Sequence, residues 1–221
     1  AWLDGGSLYD YRDPTFNLSA TYPPIGPLLF SVLTPLTADG REVLFTAFNL
    51  LALFGCAWFV SGLARVTPTK RFEWSAWVFA VSTVTIPVWL TLRQGQINLL
   101  IWLLVLADLD ALRRSRRFAG IAIGFATAIK LLPSLFIVWL AVTKRWAAAL
   151  CSIVTFGIAI GIGWLLAPSD SRSYWTDLLW QSDRVGALSD ARNNSALGVI
   201  ARNFEPGAGR TAVWLCISAA I

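Results

Sequence analysis

Three uncharged apolar runs, each about the length of a membrane span, constrain this 221-residue chain more than any other feature of its sequence. They lie at residues 43–64, 74–92 and 146–167 and contain no Asp, Glu, Lys or Arg. A helix needs roughly 20 mostly apolar residues to cross the hydrocarbon core of a bilayer. Charged residues make up 14% of the chain, against about 25% in a typical soluble domain. The sequence therefore predicts an all-α integral membrane protein with several spans.

Two polar regions divide the chain into loops and membrane segments. Residues 1–42 form a turn-rich loop that ends in an apolar stretch too short to span, which predicts a half-helix. Residues 43–167 hold the membrane helices, residues 168–210 form a second polar loop, and a further helix starts within residues 211–221. We expect one transmembrane domain that is a fragment of a longer protein, because the chain has no Met and stops within an apolar run. Pro87 should kink the span at residues 74–92.

Nine of the 18 Lys and Arg residues fall in three short loops between apolar runs. Because loops rich in Lys and Arg stay on the cytoplasmic side, the extracytoplasmic face receives residues 1–42, 93–96 and 168–210. This placement of cations also accounts for the net charge of +5 without nucleic acid as a partner. The nine cations are Arg65, Lys70, Arg71, Arg113, Arg114, Arg116, Arg117, Lys144 and Arg145.

The same assignment requires residues 118–143 to leave the cytoplasmic side and return to it. Twenty-six residues are too few for two complete crossings of a core about 30 Å thick. A re-entrant helical hairpin that turns near residues 130–133 fits, and it places Lys130 past the middle of the membrane. The alternative is one tilted helix with Lys130 snorkelling, which would put Lys144 and Arg145 outside.

Several residue types and motifs are absent, and this excludes common catalytic sites. The chain has no His, so zinc sites with His ligands and Ser-His-Asp triads are excluded. Its three Cys lie in apolar runs without a CxxC motif, and neither GxxxxGK[ST] nor GxGxxG occurs. We expect no metal and no cofactor.

Two polar features lie next to or within the apolar runs. Arg93, Gln94, Gln96 and Asn98 combine a guanidinium and three amides, which suit sugar hydroxyls and an anionic phosphate; alternatively, Asn98 only caps the next helix. Lys130 is a lone cation in an apolar run, a position that costs at least about 2.5 kcal/mol on insertion scales and so indicates a cavity or a partner. It could approach the phosphate of a lipid head group, or it could pair with Asp108 or Asp110.

Each polar loop also contains a candidate site. Tyr22 and residues 8–13 combine aromatic rings with carboxylates, as carbohydrate sites do, although Asp13 could simply initiate a turn before Pro14. In the second loop, Asn194 and Arg202 could close over a substrate. Alternatively, the Asn-Asn-Ser segment at 193–195 could cap a short helix over residues 195–203.

Six segments in this order resemble glycosyltransferase family 87, the polyprenol-phosphate-mannose-dependent mannosyltransferases with the multi-spanning GT-C fold. The similarity covers nearly all of the chain, and QGQxN within the order of segments is its most specific part. The segments are LDGGSLYDYRDPTF, TYPPIGPLLF, QGQINLLIWLLVLADL, RRFAGIAIGFATAIKLLPSLFIVWL, KRW and NNSALGVIAR.

The resemblance implies a hexosyltransferase that moves mannose from a polyprenyl-phosphate donor to a glycolipid or glycan acceptor, often in α-1,2 linkage. It places the active site on the extracytoplasmic side of the cell membrane. It also implies an Asp general base just before the segment Leu3–Tyr9, hence upstream of Ala1. We therefore leave the catalytic residue unassigned and expect the isolated fragment to be inactive.

On this interpretation Arg93, Gln94, Gln96 and Lys130 bind the donor phosphate. The sugar and acceptor site is shaped by Tyr22, Asn98, Asn194 and Arg202. A transporter of lipid-linked or anionic solutes would share the deep Lys130, and a non-catalytic assembly subunit would need no carboxylate in the outer loop. Both remain alternatives from the sequence.

Overall fold

The computed structural model describes residues 5–10, 19–181, 189, 193 and 195–220, with side chains through 217. Helices account for nearly all of its regular structure, which confirms the all-α prediction for the described residues. The chain forms two compact units, one of residues 1–21 with 169–221 and the other of residues 22–168. That all of these residues belong to one transmembrane domain stays a prediction.

The larger unit contains eight helices and the first residue of α9. They are α1 (Ile25–Ser31), α2 (Ala38–Leu63), α3 (Pro68–Thr83), α4 (Ile86–Arg93), α5 (Asn98–Arg113), α6 (Ile121–Ile129), α7 (Ser134–Val142) and α8 (Trp146–Leu166). The smaller unit contains the rest of α9 (Pro168–Thr176), a 3-10 turn (Leu178–Trp180), α10 (Ala196–Asn203) and α11 (Ala208–Ala220).

Two described helices, α2 and α8, are each long and apolar enough to cross a membrane. Helices α3 and α4 pass the same test together as a broken span bent by 72°. The bend confirms the kink predicted at Pro87, which lies in the first turn of α4. Proline lacks a backbone N–H and clashes with the preceding turn, so the helix breaks just before it. The predicted half-helix near residue 25 is also confirmed as α1.

Helices α2 and α3 form an antiparallel pair around one cation-bearing loop. The buried Ser61 and Ser75 hydroxyls hydrogen-bond across the pair at 3.1 Å. Arg71 donates to the carbonyl oxygen of Trp58 at 2.9 Å and lies over its ring. The charge of Arg71 thus stays at the helix ends, while its side chain covers apolar surface.

Residues 118–143 form the predicted helical hairpin, and the single tilted helix is wrong. The helix breaks at Lys130–Pro133, between α6 and α7. Two contacts show that α6 runs parallel to α8. Gly120 lies against Ala148, and Ala128 shares a buried cluster with Ala159. Since α7 ends near the start of α8, it must run back along the pair. Beyond Ala159, α8 continues for about 10 Å, so the hairpin turns before the far end of that span.

Small residues allow α6 to pack closely on α8. A Cβ atom on Gly120 would overlap the carbonyl oxygen of Ala148, and one on Gly124 would overlap that of Ser152. Such small residues at four-residue spacing are typical of close contacts between membrane helices. The spacing of Gly120, Gly124 and Ala128 was not among the motifs expected from the sequence.

Four helices end with a residue in the left-handed conformation, and three of these residues lie in the cation-bearing loops. They are Arg65 (φ 59°), Gly95 (φ 58°), Ser115 (φ 52°) and Lys144 (φ 59°). After Ser115, for example, the N–H of Arg116 returns to the carbonyl oxygen of Ala111 at 2.9 Å. This C-terminal motif reverses the chain within a few residues, which explains how the cation-bearing loops stay short.

In the smaller unit, α9 holds the segment Ser7–Asp10. The buried carboxylate of Asp170 accepts hydrogen bonds from the Ser7 hydroxyl at 2.5 Å and from the Leu8 N–H at 3.2 Å. The Tyr9 and Tyr174 rings stack at 5.7 Å between centroids. Burial raises the pKa of Tyr174 to about 12.

Candidate functional site

Lys130 lies at the turn of the hairpin, where α6 ends. Its ammonium donates to Asn98 Oδ1 at 2.8 Å and lies 5.4 Å from the centre of the Tyr22 ring. The partners suggested from the sequence, Asp108 and Asp110, are wrong: Asp108 bonds to the start of α6, and Asp110 pairs with Arg113 and Arg114. Lys130 is thus held by an amide and an aromatic ring.

A chain of amides extends from Lys130 to the exposed turn after α4. Asn98 Nδ2 donates to Gln96 Oε1 at 2.5 Å, and Gln96 Nε2 donates to Gln94 Oε1 at 2.7 Å. Gly95 makes the turn possible with its positive φ. The alternative in which Asn98 caps α5 is wrong, because Ile97 occupies the cap position and no side chain caps that end.

This arrangement leaves hydrogen-bond donors free at the site. An ammonium has three N–H donors, and within the described residues Lys130 makes one hydrogen bond, to Asn98. Asn98 uses its oxygen for Lys130 and an N–H for Gln96. Lys130 can therefore present its remaining donors to an anion while Asn98 fixes its direction.

Arg93 does not join this chain of amides. Its guanidinium stacks over the Trp89 ring at 5.1 Å, and among the described residues it makes no hydrogen bond or ion pair with the other candidates. Its role in phosphate binding stays a prediction.

The remaining two candidates belong to the second polar loop. Arg202 lies on α10 in the smaller unit and donates to the carbonyl oxygen of Asn193 at 2.8 Å. The Ser195 hydroxyl caps α10 by accepting from the Gly198 N–H, which confirms the capping alternative for this segment. Asn194 lies outside the described residues.

An apolar groove of about 460 Å³ runs from Lys130 between α5 and α7. Lys130 and Asn98 lie at one end, and Leu109 lies about 16 Å along α5 from Asn98 by helix rise. The edge-to-face contact between Trp102 and Phe136, at 6.1 Å, lies within the groove wall. The other lining residues are Ile101, Val105, Leu132, Pro133, Leu135 and Trp139.

The groove and the cation together suit an amphipathic anion. A cation at the end of an apolar channel binds a molecule with an anionic head and a long hydrocarbon tail. In the part of the chain that the structure describes, no group of three or more His, Cys, Asp or Glu residues could hold a metal. The arrangement can bind and neutralise a lipid phosphate with side chains alone.

Asp108 lies about 15 Å along α5 from Asn98, and from the sequence it was expected only as a possible partner of Lys130. Asp108 is 3% exposed, and its carboxylate accepts the Ile123 N–H at 2.7 Å. An acidic residue within an apolar helix signals a specific partner, but sequence alone did not show that this partner is a backbone group of another helix.

Comparisons with known proteins identify the family of this chain. The model of glycosyltransferase family 87 matches residues 20–221. The chain is 32% identical over 232 residues to the polyprenol-phosphate-mannose-dependent alpha-(1-2)-phosphatidylinositol mannoside mannosyltransferase of Mycobacterium tuberculosis, covering 97% of this chain and 54% of that protein.

A second relative comes from Mycolicibacterium smegmatis. It is the polyprenol-phosphate-mannose-dependent alpha-(1-2)-phosphatidylinositol pentamannoside mannosyltransferase, 33% identical over 213 residues that cover 94% of this chain and 51% of that protein. The chain thus spans about half the length of the curated relatives it matches. No solved structure matches significantly.

Proposed function

This chain belongs to glycosyltransferase family 87, and from that membership we propose that it is part of a polyprenyl-phosphate-mannose-dependent mannosyltransferase. The acceptor is a glycolipid or glycan, with phosphatidylinositol mannosides favoured by the names of its relatives. The linkage formed is α-1,2, and the active site faces the extracytoplasmic side.

One observation supports this proposal above the others: the Lys130 ammonium at the head of the apolar groove. A polyprenyl-phosphate sugar has one anionic phosphate between a polar sugar and a long isoprenoid chain. With the phosphate against Lys130, the first isoprene units occupy the groove between α5 and α7. The sugar then lies toward Asn98, Gln96 and Gln94, whose amides suit its hydroxyls.

The reaction exchanges one bond at the anomeric carbon for another. A carboxylate base, as the family resemblance implies, removes the proton of the acceptor hydroxyl. The acceptor oxygen then attacks the anomeric carbon in line, and the bond from that carbon to the phosphate oxygen breaks. The electron pair leaves with polyprenyl phosphate, and Lys130 stabilises the charge that develops there. Because Asn98 and Tyr22 hold Lys130 in place, little reorganisation is needed during the step.

The test measures release of polyprenyl phosphate from labelled polyprenyl-phosphomannose in membranes from cells that express the complete gene. We expect Lys130→Ala to lower kcat/KM about 100-fold, the effect of losing one strong donor to a developing anion. Lys144→Ala, which removes a cation from the loop between α7 and α8, is the matched control and should change little. Equal rates for Lys130→Ala and the wild type would overturn the assignment of the phosphate site.

The same membranes separate the enzyme from a transporter of anionic lipids. A transporter would move the labelled donor across the bilayer without cleaving it, so no polyprenyl phosphate would form. Transfer of label to a lipid-extractable acceptor supports the enzyme.

The side of the active site is tested by cysteine labelling. In a cysteine-free variant of the complete protein, a cysteine at Gln94 should react with a membrane-impermeant maleimide added outside. A cysteine at Lys144 should react only after the membrane is permeabilised, because its loop belongs to the cytoplasmic side. Labelling of the Lys144 position from outside would contradict this topology.

A further inference from the structure

The start of α6 lacks a cap of its own and receives one from α5. Gly120 occupies the cap position with φ +107° and has no side chain to offer. The first N–H groups of a helix have no partner within the helix, and inside a membrane such groups must find one in the protein. The Asp108 carboxylate accepts the Ile123 N–H at 2.7 Å and also faces the N–H groups of Gly120 and Ala122.

Asp110, the neighbouring carboxylate on α5, has different partners. Asp110 pairs with Arg114 at 2.6 Å and with Arg113 at 3.0 Å. Both cations lie at the end of α5, so Asp110 forms its ion pairs at the cation-bearing loop that follows this helix. Asp108 is the carboxylate that connects α5 to the hairpin, which makes Asp110 a natural control.

Helix α5 holds α6 at both of its ends. Asp108 bonds to the first turn of α6, and Asn98 bonds to Lys130 directly after its last turn. Asn98 and Asp108 are ten residue steps and about 15 Å apart along α5, and the nine residues of α6 span about 13.5 Å. The two lengths match, so an α6 fixed at its start presents Lys130 level with Asn98.

The packing on α8 turns α6 into a rigid connection between these two points. Gly120 and Gly124 bring the backbone of α6 against the carbonyl groups of Ala148 and Ser152. Ile123, Ala126 and Ala128 are completely buried. A displacement at the start of α6 is therefore carried along the helix to its end.

We propose that Asp108 is a positioning residue: by capping α6 it sets the depth at which Lys130 meets the donor phosphate. This proposal rests on the proposed function for its consequence in catalysis, although the geometry it describes does not need a substrate. Loss of the carboxylate leaves the first N–H groups of α6 without an acceptor in apolar surroundings. The first turn then frays or shifts, and Lys130 moves away from Asn98.

The first test measures the position of the hairpin turn directly. In the complete protein every native cysteine, including Cys56, Cys151 and Cys216, is replaced by Ala, and Leu132, which is 65% exposed at the turn, is replaced by Cys. We expect Asp108→Ala to change the rate of labelling by the membrane-permeant N-ethylmaleimide about tenfold, as for loss of a buried hydrogen-bond acceptor. Asp108→Asn keeps one oxygen acceptor and should restore the rate only in part, to a value still measurably different from the wild type, and Asp110→Ala should leave the rate unchanged. An unchanged rate in Asp108→Ala would overturn the proposal.

The second test asks whether Asp108 acts through Lys130. In membranes that carry the complete protein, Asp108→Ala should raise the donor KM about tenfold, with partial rescue by Asp108→Asn. In a Lys130→Ala background the same change should add less than about twofold, because coupled residues are not additive. Independent, multiplicative effects would show a merely structural role and would sink the proposal.

The two tests also keep this proposal distinct from the proposed function. If wild-type membranes release no polyprenyl phosphate, the proposed function fails, while the labelling rates still decide the role of Asp108. If the Asp108→Ala protein does not accumulate, the Asp108→Asn variant decides in both tests. The positioning role is supported if Asp110→Ala keeps the wild-type labelling rate and donor KM while Asp108→Asn alters both. Equal values in the two variants contradict it.

Discussion

The two arms of the hairpin have the same length and carry no charge, yet they meet opposite surroundings. Helix α6 buries six of its nine residues, whereas α7 buries only Leu140. Leu135, Val138 and Val142 on α7 are 59–74% exposed. The arms differ in side-chain size: α6 reads IAIGFATAI and α7 reads SLFIVWLAV. Small residues let α6 approach other backbones, while the larger residues of α7 face lipid and line the groove.

This contrast separates two meanings of an apolar sequence. In water, an apolar helix is driven to bury all of its surface. In a bilayer, lipid tails are as apolar as a protein core, so apolarity alone gives no preference for either. Close packing and side-chain hydrogen bonds decide instead, and α6 has both while α7 contributes a wall for a ligand.

Adding a methyl group to α6 should have the largest effect on the close packing that distinguishes it from α7. We expect Gly124→Ala to lower the free energy of unfolding by about 2 kcal/mol, because overpacking a close contact forces backbone shifts. A Cβ at Gly157 on α8 meets nothing within 4 Å, so Gly157→Ala should instead stabilise by about 1 kcal/mol through helix propensity. Thermal denaturation in detergent measures both. Equal effects of the two substitutions would mean that α6 is not the closely packed arm.

A bulky residue on α7 should change substrate binding with little effect on stability. Leu135 lines the groove and is 65% exposed, so Leu135→Trp fills the space proposed for the isoprenoid chain. We expect the donor KM to rise about tenfold, which corresponds to about 1.4 kcal/mol. Val138, exposed on the same helix but outside the groove lining, provides the control Val138→Trp. A similar KM for both variants would place the tail elsewhere.

The path of the chain could be predicted from the distribution of charged residues in the sequence. The hydrogen-bond partners of individual side chains could not. The cation-bearing loops and the short length of residues 118–143 predicted the hairpin and its turn at Lys130. The bond from Lys130 to Asn98 joins residues 32 positions apart, whereas the sequence suggested only a lipid phosphate or an acidic residue, Asp108 or Asp110, as the partner. The role of Asp108 could not be predicted for a related reason. Its partner is the backbone N–H of Ile123, and nearly every residue has such an N–H, so the sequence does not mark this one.

The smallest expected effect concerns the loop before α6 and the loop after α7. It tests whether these two loops are equivalent, so that the difference between the arms lies in the helices. Ser115 before α6 and Lys144 after α7 adopt nearly the same left-handed conformation, with φ of 52° and 59°. That conformation costs a residue with a Cβ roughly 1–2 kcal/mol, and glycine avoids most of this cost. Ser115→Gly and Lys144→Gly should each raise the free energy of unfolding by about 1 kcal/mol, whereas Ser115→Ala should give no gain. Matching gains in thermal denaturation would locate the asymmetry in the helices themselves, and a gain at one loop alone would show that the loops contribute to it.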